Sequence, residues 1–355
     1  MHLIHCVLAI AGSLIAAELP PLGFALVLVA ATSLYLDLDG RAYLLRRLLF
    51  RRASQNVISP PLPAPSDAAD TEPAPTVFLC AHYDAPLTGL AYGERALTAF
   101  GLLGRIWPPR TSPQAIIFWA IVLLLPALGL RLAGVDATWV SLLQLPSTLV
   151  LIAAAFALGE IGLSPPSPAA NDNAAGVAAA ILAAERLETE PPRGLEVRLL
   201  LCGAGETTRQ GLREFIRRHR DSLDRDRSWF IDIDSPGRGE PRYVELEVPV
   251  LARRPDAGLI ELAQALAENP ELGLEPLRLG PAGGAAMAGA RGYRAVALTA
   301  RPETEFVPPF HHTLLDREAT VDAVAIDRVA EVAVDMVRLL DRGLSRDAGS
   351  GPAGR

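Results

Sequence analysis

Apolar and polar positions follow two different rhythms along this chain. Four stretches carry no charged side chain: Met1 to Ala17, Leu19 to Leu36, Thr111 to Leu130, and Ala137 to Gly159. A helix rises about 1.5 Å per residue and a bilayer's hydrocarbon core is about 30 Å thick, so a span needs about 20 apolar residues. The third and fourth stretches meet that length. The first two are shorter and flank Glu18-Leu19-Pro20-Pro21, which reads as the turn of a tight helical hairpin. A cleaved signal peptide is the competing reading of the N-terminus. Because no basic residue precedes the first apolar run and a second follows at once, the pattern favours four transmembrane helices in two hairpins.

Elsewhere the rhythm is that of short buried strands alternating with amphipathic helices. Thr76 to His82, Leu195 to Cys202, Trp229 to Asp234, Tyr243 to Leu251 and Arg294 to Thr299 read as strands. Ala174 to Leu187, Arg209 to Arg220, Ala257 to Glu268 and Ala323 to Arg342 read as helices. Such alternation predicts an α/β domain, a mostly parallel sheet sandwiched by helices. The expected organisation is a transmembrane hairpin over 1–40, a basic juxtamembrane helix and linker over 41–75, and the first part of the α/β domain over 76–100. An inserted transmembrane hairpin over 101–163, the rest of the domain over 164–342, and a flexible tail over 343–355 complete it.

Composition narrows the function. Half of the 355 residues are apolar and 21% are charged, which excludes intrinsic disorder. A formal charge of −7 with no domain-wide basic run argues against a nucleic-acid partner. All 33 basic residues are arginine, so Schiff-base and phosphate-loop lysine chemistry are both excluded. Cys6, Cys80 and Cys202 form no disulfide framework and suit a reducing compartment. Arg41, Arg46, Arg47, Arg51 and Arg52 follow the second apolar stretch, and Arg105 and Arg110 precede the third. By the positive-inside rule this places the termini and the α/β domain in the cytoplasm, on an integral protein of the inner membrane. The run Arg41 to Arg52 reads equally as a basic amphipathic helix on an anionic lipid leaflet or as an ordinary solvated helix.

In open α/β sheets, ligands gather at the carboxyl ends of strands. Those ends carry His82-Tyr83-Asp84, Glu206, and Asp232 with Asp234, while Asn171-Asp172-Asn173 opens a helix and His311-His312 precedes the last one. Two or three carboxylates with two histidines suit a pair of zinc ions bridged by one carboxylate. Asp84 is placed to orient His82, as carboxylates commonly orient ligating imidazoles.

The order and wording of these motifs resemble the M28 family of zinc peptidases. The resemblance rests on Ala81-His82-Tyr83-Asp84, Asn171-Asp172-Asn173-Ala-Ala-Gly176, Phe230-Ile-Asp-Ile-Asp234 and His312-Thr313-x-x-Asp316, and it covers roughly residues 76 to 340 outside the apolar insertion. It implies two Zn²⁺ ions sharing Asp172, one also held by His82 and Asp234, the other by Glu206 and His312. His311 and Asp232 fall on non-ligand positions.

The chain departs from the family at two places, the first at the expected base and the second in a Gly-rich run. The family carries two adjacent glutamates, a general base and then a ligand; here Gly205-Glu206 puts glycine at the base position, with the downstream Gly211-Leu-Arg-Glu-Phe215 fixing the register. Removing a positioned base costs about 10²–10⁴ in rate. The Gly-rich run from Gly280 to Met287 is expected to reshape the substrate pocket. The leading expectation is a membrane-anchored aminopeptidase acting on peptides or small amides through a metal-activated water. The alternative is an inactive pseudopeptidase that binds or scaffolds at the membrane. Oligomeric state is not legible.

Overall fold

The computed structural model describes residues 2–49, 52–62, 74–93, 96, 113–248, 250–280, 283–302 and 307–349. Arg51, Arg105, Arg110, residues 63–73 of the expected linker, the expected boundary at 100/101, and Pro281 and Ala282 of the Gly-rich run lie outside the described residues. Two compact units emerge: one of Met1–Ala53, Leu87–Pro165 and Val248–Ala252, the other of Ser54–Pro86, Pro166–Glu247 and Arg253–Arg355.

The second unit is a mixed sheet flanked by helices. Its strands are β1 (Val57–Ile58), β2 (Thr76–His82), β3 (Glu196–Cys202), β4 (Ser228–Ile233), β5 (Glu240–Val244), β6 (Glu275–Leu277) and β7 (Arg294–Arg301), in the spatial order β1-β3-β2-β4-β7-β5-β6. The centre, β3-β2-β4-β7, is parallel, while β1 against β3 and β5 against β7 are antiparallel. The side-chain period of two explains why β2 is apolar from Val77 to Ala81. Val77, Leu79 and Ala81 of β2 join one buried cluster, and Phe78 and Cys80 join another on the opposite face. A parallel strand covered on both faces needs such continuous hydrophobicity.

Helices of this unit cover both faces. On the first lie α5 (Gly176–Thr189), α7 (Ala257–Ala267) and α9 (Ala323–Gly349), presenting Ala180, Ala183, Leu187, Ala263, Val329, Ala333 and Val337 to the sheet. The second face is covered by α6 (Gln210–His219) and the short α8 (Gly284–Gly289), through Leu212, Phe215, Ala285 and Ala288. Where a flexible tail was expected from residue 343, α9 continues to Gly349. The strand expected over Tyr243 to Leu251 ends at Val244, and Glu247 instead makes isolated bridges to Arg253 and Gly280.

The first unit is helical: α1 (His2–Ile15), α2 (Pro20–Leu38), α3 (Pro113–Leu132) and α4 (Thr138–Leu163). The last three are long and apolar enough to cross a membrane; α1, at 14 residues, is shorter than the four-span expectation needs. Cys6, Ala9, Val27, Ala30, Leu34, Ile121, Leu124 and Leu151 form its core, while Leu142, Leu149 and Phe156 of α4 face outward. One buried polar group is fully engaged: Arg131 donates to Gln144 (2.6 Å), Asp136 (2.9 Å) and Ser141 (2.7 Å). After α2 the expected basic helix does not form, and only a short turn over Leu45–Leu48 appears. Gly40 ends α2 at φ 78°, and two arginines are drawn back to its acidic end, Arg41 to Asp39 at 2.5 Å and Arg46 to Asp37 at 3.2 Å.

Candidate metal centre

The carboxyl edge of the parallel strands assembles the predicted residues. His82 is the last residue of β2, Glu206 lies four residues beyond β3, Asp234 directly follows β4, and His311 and His312 stand in the loop after β7. Asp172 sits in a tight turn leading into α5. That turn is fastened from outside: the Asp316 carboxylate accepts the N–H groups of Asn171 (2.7 Å) and Asp172 (3.0 Å). Asn173 accepts the Ser235 N–H at 2.8 Å and donates to the Ile233 carbonyl at 3.0 Å, which ties the turn to the end of β4. The Asn-Asp-Asn run is therefore a brace rather than a helix cap; α5 has no side-chain cap bond.

The two oxygens of Asp172 address different groups. Oδ1 is 3.5 Å from His82 Nε2, whereas Oδ2 is 3.2 Å from His312 Nε2 and 3.0 Å from His311 Nδ1. Asp234 Oδ1 stands 3.8 Å from His82 Nε2, and Glu206 Oε2 stands 3.4 Å from His312 Nε2. Two donors about 2.0–2.1 Å from a tetrahedral ion are themselves about 3.3 Å apart, so the gaps of 3.4, 3.5 and 3.8 Å suit a shared cation better than direct hydrogen bonds. The buried His82 Nε2 has no hydrogen-bond partner among the described residues, as a ligand nitrogen facing a metal position would. The donor set thus fits zinc.

Electrostatics agree. Burial opposes its charge, yet His311, His312 and His82 hold the Asp172 carboxyl well below the usual range. Burial, reinforced by Asp172, pushes Glu206 up to about 8, and burial together with His311 pulls His312 down to about 4. Such divergent shifts in one cluster are typical of functional sites.

Asp84 is placed differently from the expectation. His82 Nδ1 lies 3.2 Å from the Asp84 backbone carbonyl and 3.6 Å from its carboxylate. The carboxylate instead accepts the N–H groups of Gly205 (2.6 Å) and Glu206 (3.1 Å). The Gly-rich run has a comparable role. Gly283 N–H donates to the buried Glu247 at 2.7 Å and Gly284 N–H to the buried Asp232 at 2.6 Å. Asp232 is thus capped by backbone.

Sequence reasoning missed Arg209, whose guanidinium is ion-paired with Asp234, and Asp316, whose clamp on the Asp172 turn no spacing rule announces. The direction taken by Arg209 depends on left-handed backbone at Thr208 (φ 64°) and itself (φ 54°), which local pattern does not reveal. His311, placed outside the ligand set, nevertheless groups with Asp172 and His312.

A parallel-centred sheet with carboxylates and histidines gathered at its strand ends defines a metal-dependent hydrolase type. The family model of peptidase family M28 matches residues 157–337, and the chain belongs to that family. Among solved structures it is similar to BSAP, a zinc aminopeptidase from Bacillus subtilis, at 16% identity and a TM-score of 0.45, covering 80% of this chain and 49% of that one. LapB from Legionella pneumophila is similar at 14% identity and a TM-score of 0.42, covering 51% and 49%. A glutaminyl cyclase from an Acidobacteriales bacterium is similar at 12% identity and a TM-score of 0.41, covering 81% and 74%. The chain spans about half the length of the first two. No curated protein matches it.

Proposed function

We propose that this protein is a membrane-anchored zinc peptidase of aminopeptidase type, with its α/β unit facing the cytoplasm and peptides or small amides as substrates. Its metal ligands are His82, Asp172, Glu206, Asp234 and His312, and two ions share Asp172. The observation that carries this reading is the split of the Asp172 carboxylate, one oxygen toward His82 and the other toward His312. When bound, zinc polarises a carbonyl and lowers the pKa of a water toward about 7. The residues of the chain hold and orient: Asp316 fixes the Asp172 turn, and the Asp84 carbonyl lies beside His82 Nδ1. The anchor is α2, α3 and α4, whose length and composition suit a bilayer.

One observation favours a second reading, a pseudopeptidase that binds peptides or scaffolds at the membrane. Gly205 brings no side chain to the base position, and its N–H is already donated to Asp84. Zinc content measured together with hydrolysis of an aminopeptide panel separates the two. Zinc with turnover supports the peptidase, zinc without turnover the binding protein, and the absence of zinc removes both.

A further inference from the structure

We propose that Arg209 is a built-in competitor for the second metal ion, so that the centre fills in order: a tight ion at Asp172, Glu206 and His312, then a weak one at His82, Asp172 and Asp234. This rests on the metal reading above and sets its stoichiometry.

Four observations point to it. Arg209 Nη2 is ion-paired with Asp234 Oδ2, and Ser235 Oγ donates to Asp234 Oδ1 at 3.0 Å, so both oxygens of that expected ligand are already engaged. The backbone sets the arginine: its left-handed φ of 54° is fixed by its N–H to the Gly205 carbonyl (2.8 Å) and by its carbonyl accepting the Arg213 N–H (3.0 Å). The guanidinium is largely buried, with 15% of the side chain exposed, and its Nη1 has no hydrogen-bond partner among the described residues. Finally, among the described residues Asp172, Glu206 and His312 each belong to a donor group converging within 4.8 Å (His82 with Asp172 and Glu206, or Asp172 with His311 and His312), whereas Asp234 belongs to neither.

Charge leads to the same order. Asp172, Glu206 and Asp234 together carry three negative charges when ionised, and one divalent ion plus one guanidinium balances them. A second divalent ion would face Arg209 across the single Asp234 carboxylate, in a buried setting where like charges repel strongly. Arginine does not escape by losing its proton.

The test is zinc titration of the full-length, detergent-solubilised chain after chelator stripping, read by calorimetry and elemental analysis. Wild type should bind one ion tightly and a second about tenfold or more weakly, within the usual range of coupling between sites. Arg209→Gln should tighten the second ion by a similar factor and leave the first unchanged, while Arg209→Lys, which keeps the charge, should preserve the order. Two equally tight ions in wild type overturn the proposal and leave the metal reading intact. An unaltered weak site in Arg209→Gln also overturns it. No bound zinc at all overturns the metal reading and this inference with it. Should Arg209→Gln fail to fold, the wild-type titration still decides.

Discussion

The Asp84 carboxylate accepts the backbone N–H of Gly205 at 2.6 Å, pinning the loop after β3 against the end of β2. So pinned, Gly205 has no room for a side chain. A Cβ there would lie 2.4 Å from the His82 Cβ and 2.6 Å from its Cγ, although its φ lies outside the left-handed region.

From the sequence, Gly205→Glu looks like the restoration of a lost base. The close approach predicts otherwise: the new side chain should push His82 out of the centre. Zinc affinity is expected to fall about 10-fold or more, the scale seen when a metal ligand's support is disturbed, with no gain in peptide hydrolysis. Gly205→Ala should show the same loss in milder form. A rise in hydrolysis of about 10² for Gly205→Glu would show instead that the loop yields and that the base position works.

Asp172 faces both donor groups, so Asp172→Ala should strip all bound zinc. His312→Ala should remove the tightly held ion and leave at most the weak one. Elemental analysis of the purified variants checks both. Equal zinc in Asp172→Ala and wild type would dismiss the shared-carboxylate geometry. Removing zinc with a chelator should also lower the thermal midpoint of wild type, because an ion bound only by the folded chain stabilises it by mass action.

How much of this was legible in the sequence depends on the range of the interaction. Strand ends were readable because burial on both faces forces continuous apolar runs, and the first polar residues past β2 and β4 are His82's neighbours and Asp234. The Asp172 turn was readable as a motif but not as a brace, since its partners Asp316, Ser235 and Ile233 come from distant parts of the chain. Arg209 was invisible because its direction follows from two left-handed residues. The juxtamembrane helix failed for a local reason: periodicity suggested a helix, but Asp39 and Asp37 recapture two of its arginines, Arg41 and Arg46.

The arginine distribution predicts orientation. A reporter fused after Gly349, at the end of α9, should be active only if it is a cytoplasmic type. A second fusion at Gly134, in the turn between α3 and α4, should be active only if it is a periplasmic type. The reverse pattern would invert the proposed topology.

Glu247 gives a pH-dependent prediction outside the metal ligands. The residue is 1% exposed; burial pushes its carboxyl up to about 8, against the opposing Gly283 N–H and with Asp232 adding to the rise. An unfolded glutamate titrates near 4.3. Between these values the folded chain holds a proton that the unfolded chain has lost. This contribution to stability is therefore full below about 4.3 and is lost as pH rises toward about 8. Glutamine keeps an acceptor for Gly283 and never ionises. Glu247→Gln should accordingly be nearly neutral at pH 4 and stabilising at pH 9, by about 1 kcal/mol or more, or roughly 2–4 °C in thermal midpoint. The comparison needs only melting curves of the two proteins at both pH values, with zinc present throughout. If the midpoint difference is the same at both, Glu247 does not carry a proton into the folded state.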